Sequence, residues 1–196
     1  MTITAIRQAA IGLSVRQRFF IATLLVGAGV FCIGDHFYHV RHGILVYHWT
    51  PLVDGQSVWV WPVFIVGAVA MLAISHRFTR GSTAPSTPEM LFNFAWIHGI
   101  YLSTALWGDA YPVAFITAMV GLWLLRIALL KEDRARNAAL SLLLAVGASL
   151  LEGLFSQLGM FDYVQQDFAR VPWWLFAAYL HAGPAIFCLS RWVRNG

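Results

Sequence analysis

The sequence predicts an all-α polytopic membrane protein: a bundle of six transmembrane helices with both termini cytoplasmic. Three observations carry that expectation. Hydrophobic residues make up 59% of the 196-residue chain and charged residues only 11%, against about 25% charged in a water-soluble domain. Mean hydropathy is +0.68, so the polar residues cannot cover the exterior and most of its solvent is lipid. Apolar runs near the about 20 residues needed to cross a bilayer core recur at about 18–38, 58–75, 91–108, 112–130, 138–158 and 172–190. Finally, the basic residues between these runs alternate sides without a break, and the whole chain, 1–196, reads as one transmembrane domain.

The first run follows a short basic amphipathic lead-in carrying Arg7, Arg16 and Arg18, and no small-residue cleavage site closes it, so it reads as a retained helix. A long loop rich in histidine follows, and Trp59, Trp61 and Pro62 open the second run. Residues 78–88, Phe-Thr-Arg-Gly-Ser-Thr-Ala-Pro-Ser-Thr-Pro, read as a mobile cytoplasmic loop. The third and fourth runs are joined only by Gly108-Asp109-Ala110-Tyr111-Pro112; Pro112 suits a first helical turn, and a tight antiparallel hairpin is expected. A charged turn, Asp133-Arg134-Ala135-Arg136, leads to the fifth run, and Arg191 and Arg194 close the sixth.

Of the thirteen Lys and Arg residues, all but Arg41 and Arg170 fall on one side of this pattern. That side is cytoplasmic by the positive-inside rule, which puts the loops with His36–Asp54 and Asp162–Asp167 outside. Trp49, Trp59, Trp61, Trp107, Trp173 and Trp174 collect at the outer ends, where an amphipathic ring anchors at the interface. Cys32 and Cys188 lie within runs roughly 15 Å apart in depth, too far for a disulfide. Gly67, Gly99, Gly121, Gly147 and Gly153 read as positions of close helix packing. The net charge of +4 sits in short clusters and not on one face, which argues against a nucleic-acid partner.

The remaining polar residues are unevenly placed. Asp35, Asp54, Asp109, Asp162 and Asp167, with His36, His39, His42 and His48, belong to the outer side. His98, Glu152 and His181 fall inside three different runs, yet counting about 1.5 Å per residue puts all three roughly 9–13 Å below the outer surface. An ionisable group in a membrane is costly and faces the bundle interior or a wet cavity. The common depth points to one polar-floored pocket, open outward or to the outer leaflet, with Tyr101 and Trp123 as further candidate ligand contacts. Histidines bonded to backbone carbonyls, and a protonated Glu152 paired with a neighbour, would account for the same residues without a pocket. His36, His39, His42 and His48 are weak metal candidates: imidazoles three apart share a helix face, but their spacing fits no zinc pattern and Gly34 and Gly43 interrupt the helix. A bis-histidine haem on His98 and His181 would need the two rings to face each other. No nucleophile motif or phosphate loop is present, and no cofactor is expected.

Residues 159–183 resemble the C-terminal part of Insig, the endoplasmic-reticulum sterol-sensing family. The matching positions are Gly159, Phe161, Tyr163, Asp167-Phe168, Val171, Trp174-Leu175 and Gly183, at the family's spacing without a gap. Gly121-Leu122-Trp123 before the charged turn, Leu140-Ser141 and Gln157 agree in outline. Phe161 and Phe176 stand where a tyrosine and a proline are expected, and the Pro-Cys closing helix two has no counterpart. The resemblance implies a helical bundle with a central hydrophobic cavity for a lipid. Eukaryotic members bind oxysterols and retain a partner sensor protein; prokaryotic relatives look like binders of a diacylglycerol-type lipid, which implies a bacterial inner membrane here. Asp167 stands where an acidic residue matters for partner binding in that family; a loop cap or a salt bridge to Arg170 is the alternative.

Two functional readings follow. One is a non-enzymatic binder of a membrane lipid or sterol-like molecule, with His98, Glu152 or His181 bonding its headgroup, and with a membrane-protein partner as the resemblance implies. The other is an intramembrane isomerase or cyclase acting on an isoprenoid- or sterol-like substrate, with Glu152 as general acid and His98 or His181 as base.

Overall fold

The structure is a computed structural model that describes residues 13–195. Arg7 and most of the basic lead-in lie outside the described residues. The elements in chain order are α1 (Val15–Val40), β1 (Leu45–Tyr47), β2 (Pro51–Val53), β3 (Gln56–Ser57), α2 (Val60–Phe78), α3 (Thr87–Ser103), α4 (Pro112–Leu129), α5 (Arg134–Gln157), β4 (Phe161–Tyr163) and α6 (Trp173–Asn195). The helical membrane bundle expected from the sequence is what forms. Among the described residues, α1, α2, α4, α5 and α6 are long and apolar enough to cross a membrane. Helix α3 has 17 residues and continues as a widened π turn over Thr104–Gly108.

Caps explain why three helices begin before their apolar runs do. The Ser14 hydroxyl accepts from Gln17 N (3.3 Å) while the Gln17 side chain accepts from Ser14 N (2.8 Å), a capping box that starts α1 at Val15. Ser86 accepts from Glu89 N at 3.3 Å and Pro88 occupies the first turn, so α3 starts at Thr87, inside the stretch expected to be a free loop. Asp133, in the left-handed region at φ 56°, turns the chain into α5 at Arg134. The 78–88 segment is a seam and not a free linker. Ser82 donates to Asp133 (2.6 Å), Arg136 to the Arg80 carbonyl (2.9 Å), Arg191 to the Thr83 carbonyl (2.6 Å) and Asn195 to the Ser82 carbonyl (2.8 Å).

Helix α6 occupies the centre, with 89% of its apolar window buried against 11% for α4. It is also the least apolar of the five candidate spans. The two facts fit: a helix wrapped in protein need not match lipid, whereas α4 must. Burial on all sides requires small residues where neighbouring backbones approach, and Ala177, Ala178, Ala182, Gly183 and Ala185 supply them. At Gly183 an added Cβ would lie 2.5 Å from Ser141 Cα on α5. Gly27 is also close-packed, with an added Cβ 2.9 Å from Ile65 Cα of α2. Of the glycines read from the sequence as helix-packing positions, only Gly153 lies against a neighbouring backbone, and that is the loop before α6, where an added Cβ would collide with the Ala169 carbonyl oxygen; Gly67, Gly99, Gly121 and Gly147 meet nothing within 4 Å among the described residues.

The hairpin of α3 and α4 is not tight. Both helices pack on α6 and leave a cleft between their ends distant from the Gly108–Pro112 connection. At the other end of the bundle, β1 pairs antiparallel with β4, Leu45 opposite Tyr163 and Tyr47 opposite Phe161, so the first loop is clipped to the loop before α6. Trp49, Trp59, Trp61, Trp107 and Trp173 are exposed there, but Trp174 is fully buried and donates to Asp109 at 2.7 Å. It is a core residue and not an anchor. Cys32 and Cys188 are free and buried.

Gly183→Ala should force α5 and α6 apart and cost about 1–3 kcal/mol, read as a lowered melting temperature in detergent. Gly121→Ala, facing open space, should leave that temperature unchanged or raise it slightly.

Candidate functional site

A narrow cavity lies beneath the β1–β4 ribbon, between α2 and α5, and measures about 770 Å³ counting its open mouth. The ribbon supplies its roof through Leu45, Tyr47, Phe161 and Tyr163, with Met160 beside them. Its side wall is formed by Val63, Gly67 and Met71 of α2 and Ala148, Leu151 and Phe155 of α5. Gly67 adds no side chain to that wall, and Leu151 is about half exposed, so the gap between α2 and α5 is thin and apolar. Among the described residues, Asp35 and Glu152 are the ones of charged type that line the cavity.

Each carboxylate is held by hydroxyls or amides. Glu152, on α5, accepts from Tyr163 Oη of β4 at 2.5 Å and from Tyr179 Oη of α6. Asp35, on α1, accepts at one oxygen from Tyr47 Oη of β1 (2.9 Å) and Gln56 Nε2 of β3 (3.1 Å). Burial, and next the Asp35 charge, push the Tyr47 phenol well above its ordinary 10.0. Burial, and next the Glu152 charge, do the same for Tyr163. Both phenols therefore keep their protons and remain donors. Tyr101 also lines the cavity; its ring packs edge-on to His39 at 4.5 Å and lies so close to Gly34 that a Cβ there would sit 2.9 Å from Tyr101 Cδ1.

The shared depth of His98, Glu152 and His181 does not become a shared pocket. His181 is fully buried: its Nδ1 accepts from Trp96 Nε1 of α3 (3.1 Å), which fixes the proton on Nε2, 3.0 Å from the Met119 carbonyl of α4. It is a satisfied histidine that stitches three helices. His98 is half-buried, packed edge-on to Phe94 at 4.8 Å, and does not line the cavity. These rings make separate contacts, not the facing pair a bis-histidine haem needs. Trp123 is buried away from the cavity with its indole nitrogen unpartnered among the described residues. Asp167 is a cap: it accepts from Trp173 N at 3.0 Å at the start of α6, while Arg170 reaches the Ser156 carbonyl at 3.4 Å.

The four outer histidines also part company. His39 is buried 2.8 Å from Thr104 Oγ1; because Thr104 donates its one proton to the Tyr101 carbonyl at 2.6 Å, His39 donates through Nε2. His42 reaches the Phe37 carbonyl (3.2 Å) and His48 reaches Asp162 (3.0 Å), while His36 Nδ1 has no partner among the described residues. Among the described residues, no three His, Cys, Asp or Glu side chains come together as a metal site. Sequence reasoning missed Asp35, Tyr47, Tyr163 and Tyr179 as a set. The available signal was that they fall at the outer level with Glu152, but tyrosine does not register in a search for ionisable groups.

The His48 bond also pulls the Asp162 carboxyl below its ordinary 3.8. The carboxylate form then favours the fold, so this stabilisation is complete above about pH 3.8 and is lost as pH falls through the lower folded value. Asp162→Asn should remove that acid limb from a plot of melting temperature against pH and leave the neutral range little changed, since the pair is exposed.

No protein-family model and no curated protein sequence matches the chain. Among solved structures it is similar to MvINS, a mycobacterial Insig homolog from Mycobacterium vanbaalenii. The TM-score is 0.70 and the identity 26%, covering 91% of this chain and 96% of that one. A cross-linked MvINS trimer superposes with a TM-score of 0.69, at 26% identity over 90% of this chain and 93% of that one. The resemblance carried by residues 159–183 thus extends over nine-tenths of the chain, which is an Insig-like membrane protein.

Proposed function

We propose that this Insig-like protein is a non-enzymatic binder of a neutral, hydroxyl-bearing lipid such as a diacylglycerol or a sterol, held in the cavity under the β1–β4 ribbon. One observation carries the reading: a slot with apolar walls in which, among the described residues, the lining groups of charged type are Asp35 and Glu152, each already accepting from tyrosine. A few placed polar groups in an apolar slot are the usual form of a small-molecule site. An alcohol can donate to Glu152 or Asp35 and accept from Tyr163 or Tyr179. A phosphate would find carboxyl groups and no cation among the described lining residues, and burying its charge there would be costly. The acyl chains or ring system would leave through the thin wall between α2 and α5 into the outer leaflet.

Acid–base catalysis on an isoprenoid-like substrate is less well supported. The base expected from the sequence is not beside Glu152: neither His98 nor His181 lines the cavity, and the other carboxyl there, Asp35, is already engaged by Tyr47 and Gln56. The orientation belongs to the same proposal: basic ends in the cytoplasm of a bacterial inner membrane, ribbons outside.

Native mass spectrometry of the purified chain should find one neutral lipid bound per protein. Glu152→Gln combined with Tyr179→Phe should weaken its retention roughly tenfold or more, as loss of hydrogen bonds to a charged group implies. Phospholipid bound in the same proportions as in the extract, or product formed from a lipophilic substrate and lost in Glu152→Gln, would reject the binder. For the orientation, a membrane-impermeant maleimide applied to intact cells should label a cysteine placed at Asp54 and spare one placed at Arg80; the opposite pattern would invert the topology.

A further inference from the structure

We infer that the cleft between α3, α4 and α6, at the end of the bundle remote from the β1–β4 ribbon, is a second lipid site that holds the headgroup of an anionic phospholipid. The cleft measures about 1150 Å³ to its open mouth, and its charged lining groups are Arg126, Lys131, Arg191 and Glu89. Glu89 is matched already, 3.5 Å from Arg191, which also holds the Thr83 carbonyl. Among the described residues, two cations are left without a counter-charge.

Arg126 carries the argument. It sits less than one turn from the end of α4, its guanidinium lies over the Trp96 ring at 5.2 Å, and Nη2 donates to Asn93 Oδ1. Its Nη1 is buried with no acceptor among the described residues, and no carboxylate pairs with it there. A buried N–H donor on a cation with nothing to bond is costly to leave unmade. Snorkelling to water would relieve it, but the ring and Asn93 hold the group inside the cleft. A phosphate oxygen arriving from the membrane would satisfy Nη1 in the planar geometry that guanidinium favours. Lys131 has no hydrogen bond or ion pair among the described residues and stands at the mouth as a second contact.

The surroundings select a lipid over a soluble anion. Phe92, Leu125 and Leu129 flank the charged groups and are 57%, 55% and 72% exposed, a surface on which acyl chains can lie. Basic pockets between transmembrane helices near the membrane surface are established hosts for anionic headgroups. The charge pattern is the reverse of that in the cavity under the ribbon, where only carboxylates are present, so the two sites would not compete for one ligand. This inference stands whether or not that cavity holds a neutral lipid.

The test is native mass spectrometry of the full chain titrated with phosphatidylglycerol or phosphatidylcholine of identical acyl chains. One phosphatidylglycerol should be retained with about thirtyfold preference, the scale expected for two cations near a membrane surface. Arg126→Gln with Lys131→Gln should abolish the preference, while Arg16→Gln with Arg80→Gln, which removes the same charge from exposed positions outside the cleft, should keep it. Excess inorganic phosphate should not displace the lipid. If Arg126→Gln fails to fold, Lys131→Gln alone should still reduce the preference, and the wild-type comparison stands by itself. Equal retention of the two lipids, equal loss in both double variants, or displacement by inorganic phosphate would each overturn the inference.

Discussion

The architecture depends on burying α6 on every side within a medium that supplies no hydrophobic drive for helices to associate. In lipid, packing and interhelical hydrogen bonds must hold a bundle together, and α6 carries both. Gly183 lets α5 approach to the backbone at Ser141. His181 ties α6 to Trp96 of α3 and to the Met119 carbonyl of α4, and Trp174 ties it to Asp109 in the connection between those helices. Because α3 and α4 are each fastened to α6, they are free to part from one another, and the basic cleft is the space that results.

At the opposite end, polar satisfaction decides the arrangement. Two carboxylates brought near the bundle interior need donors, and tyrosine is the side chain that can supply one while remaining apolar elsewhere. The donors come from β1, β4 and α6, so the cavity's polar lining and the loop ribbon are built from the same residues. The ribbon is therefore more than a loop ornament: it delivers Tyr47 and Tyr163 to Asp35 and Glu152.

Much of this was legible in the sequence. Hydropathy gives the runs, and helix starts shift upstream of the apolar residues where Ser14 and Ser86 supply caps and where Asp133 turns the chain. Residues 159–183 pointed to Insig, and the solved neighbours bear that out along nearly the whole chain. What a sequence count does not give is azimuth. His98, Glu152 and His181 share a depth, but which way a side chain faces follows from helix rotation, and only Glu152 faces the cavity. The same limit explains the glycines, since composition alone cannot say that Gly121 meets open space while Gly183 meets Ser141. It also explains the tryptophans: Trp173 and Trp174 are neighbours in sequence, yet one is exposed and the other has no surface at all.

The three-residue pairing of β1 with β4 carries one further consequence. It roofs the cavity with a backbone ribbon, while the described residues that line the gap between α2 and α5 beside the cavity are apolar apart from Glu152. A ligand of the kind proposed, exchanging through that gap, would never need an aqueous phase. Occupancy would then follow the ligand's mole fraction among its neighbouring lipids, not its concentration in solution, and a compound too insoluble to measure in buffer could still saturate the protein. Dissociation constants for such a molecule would be meaningful in units of membrane composition.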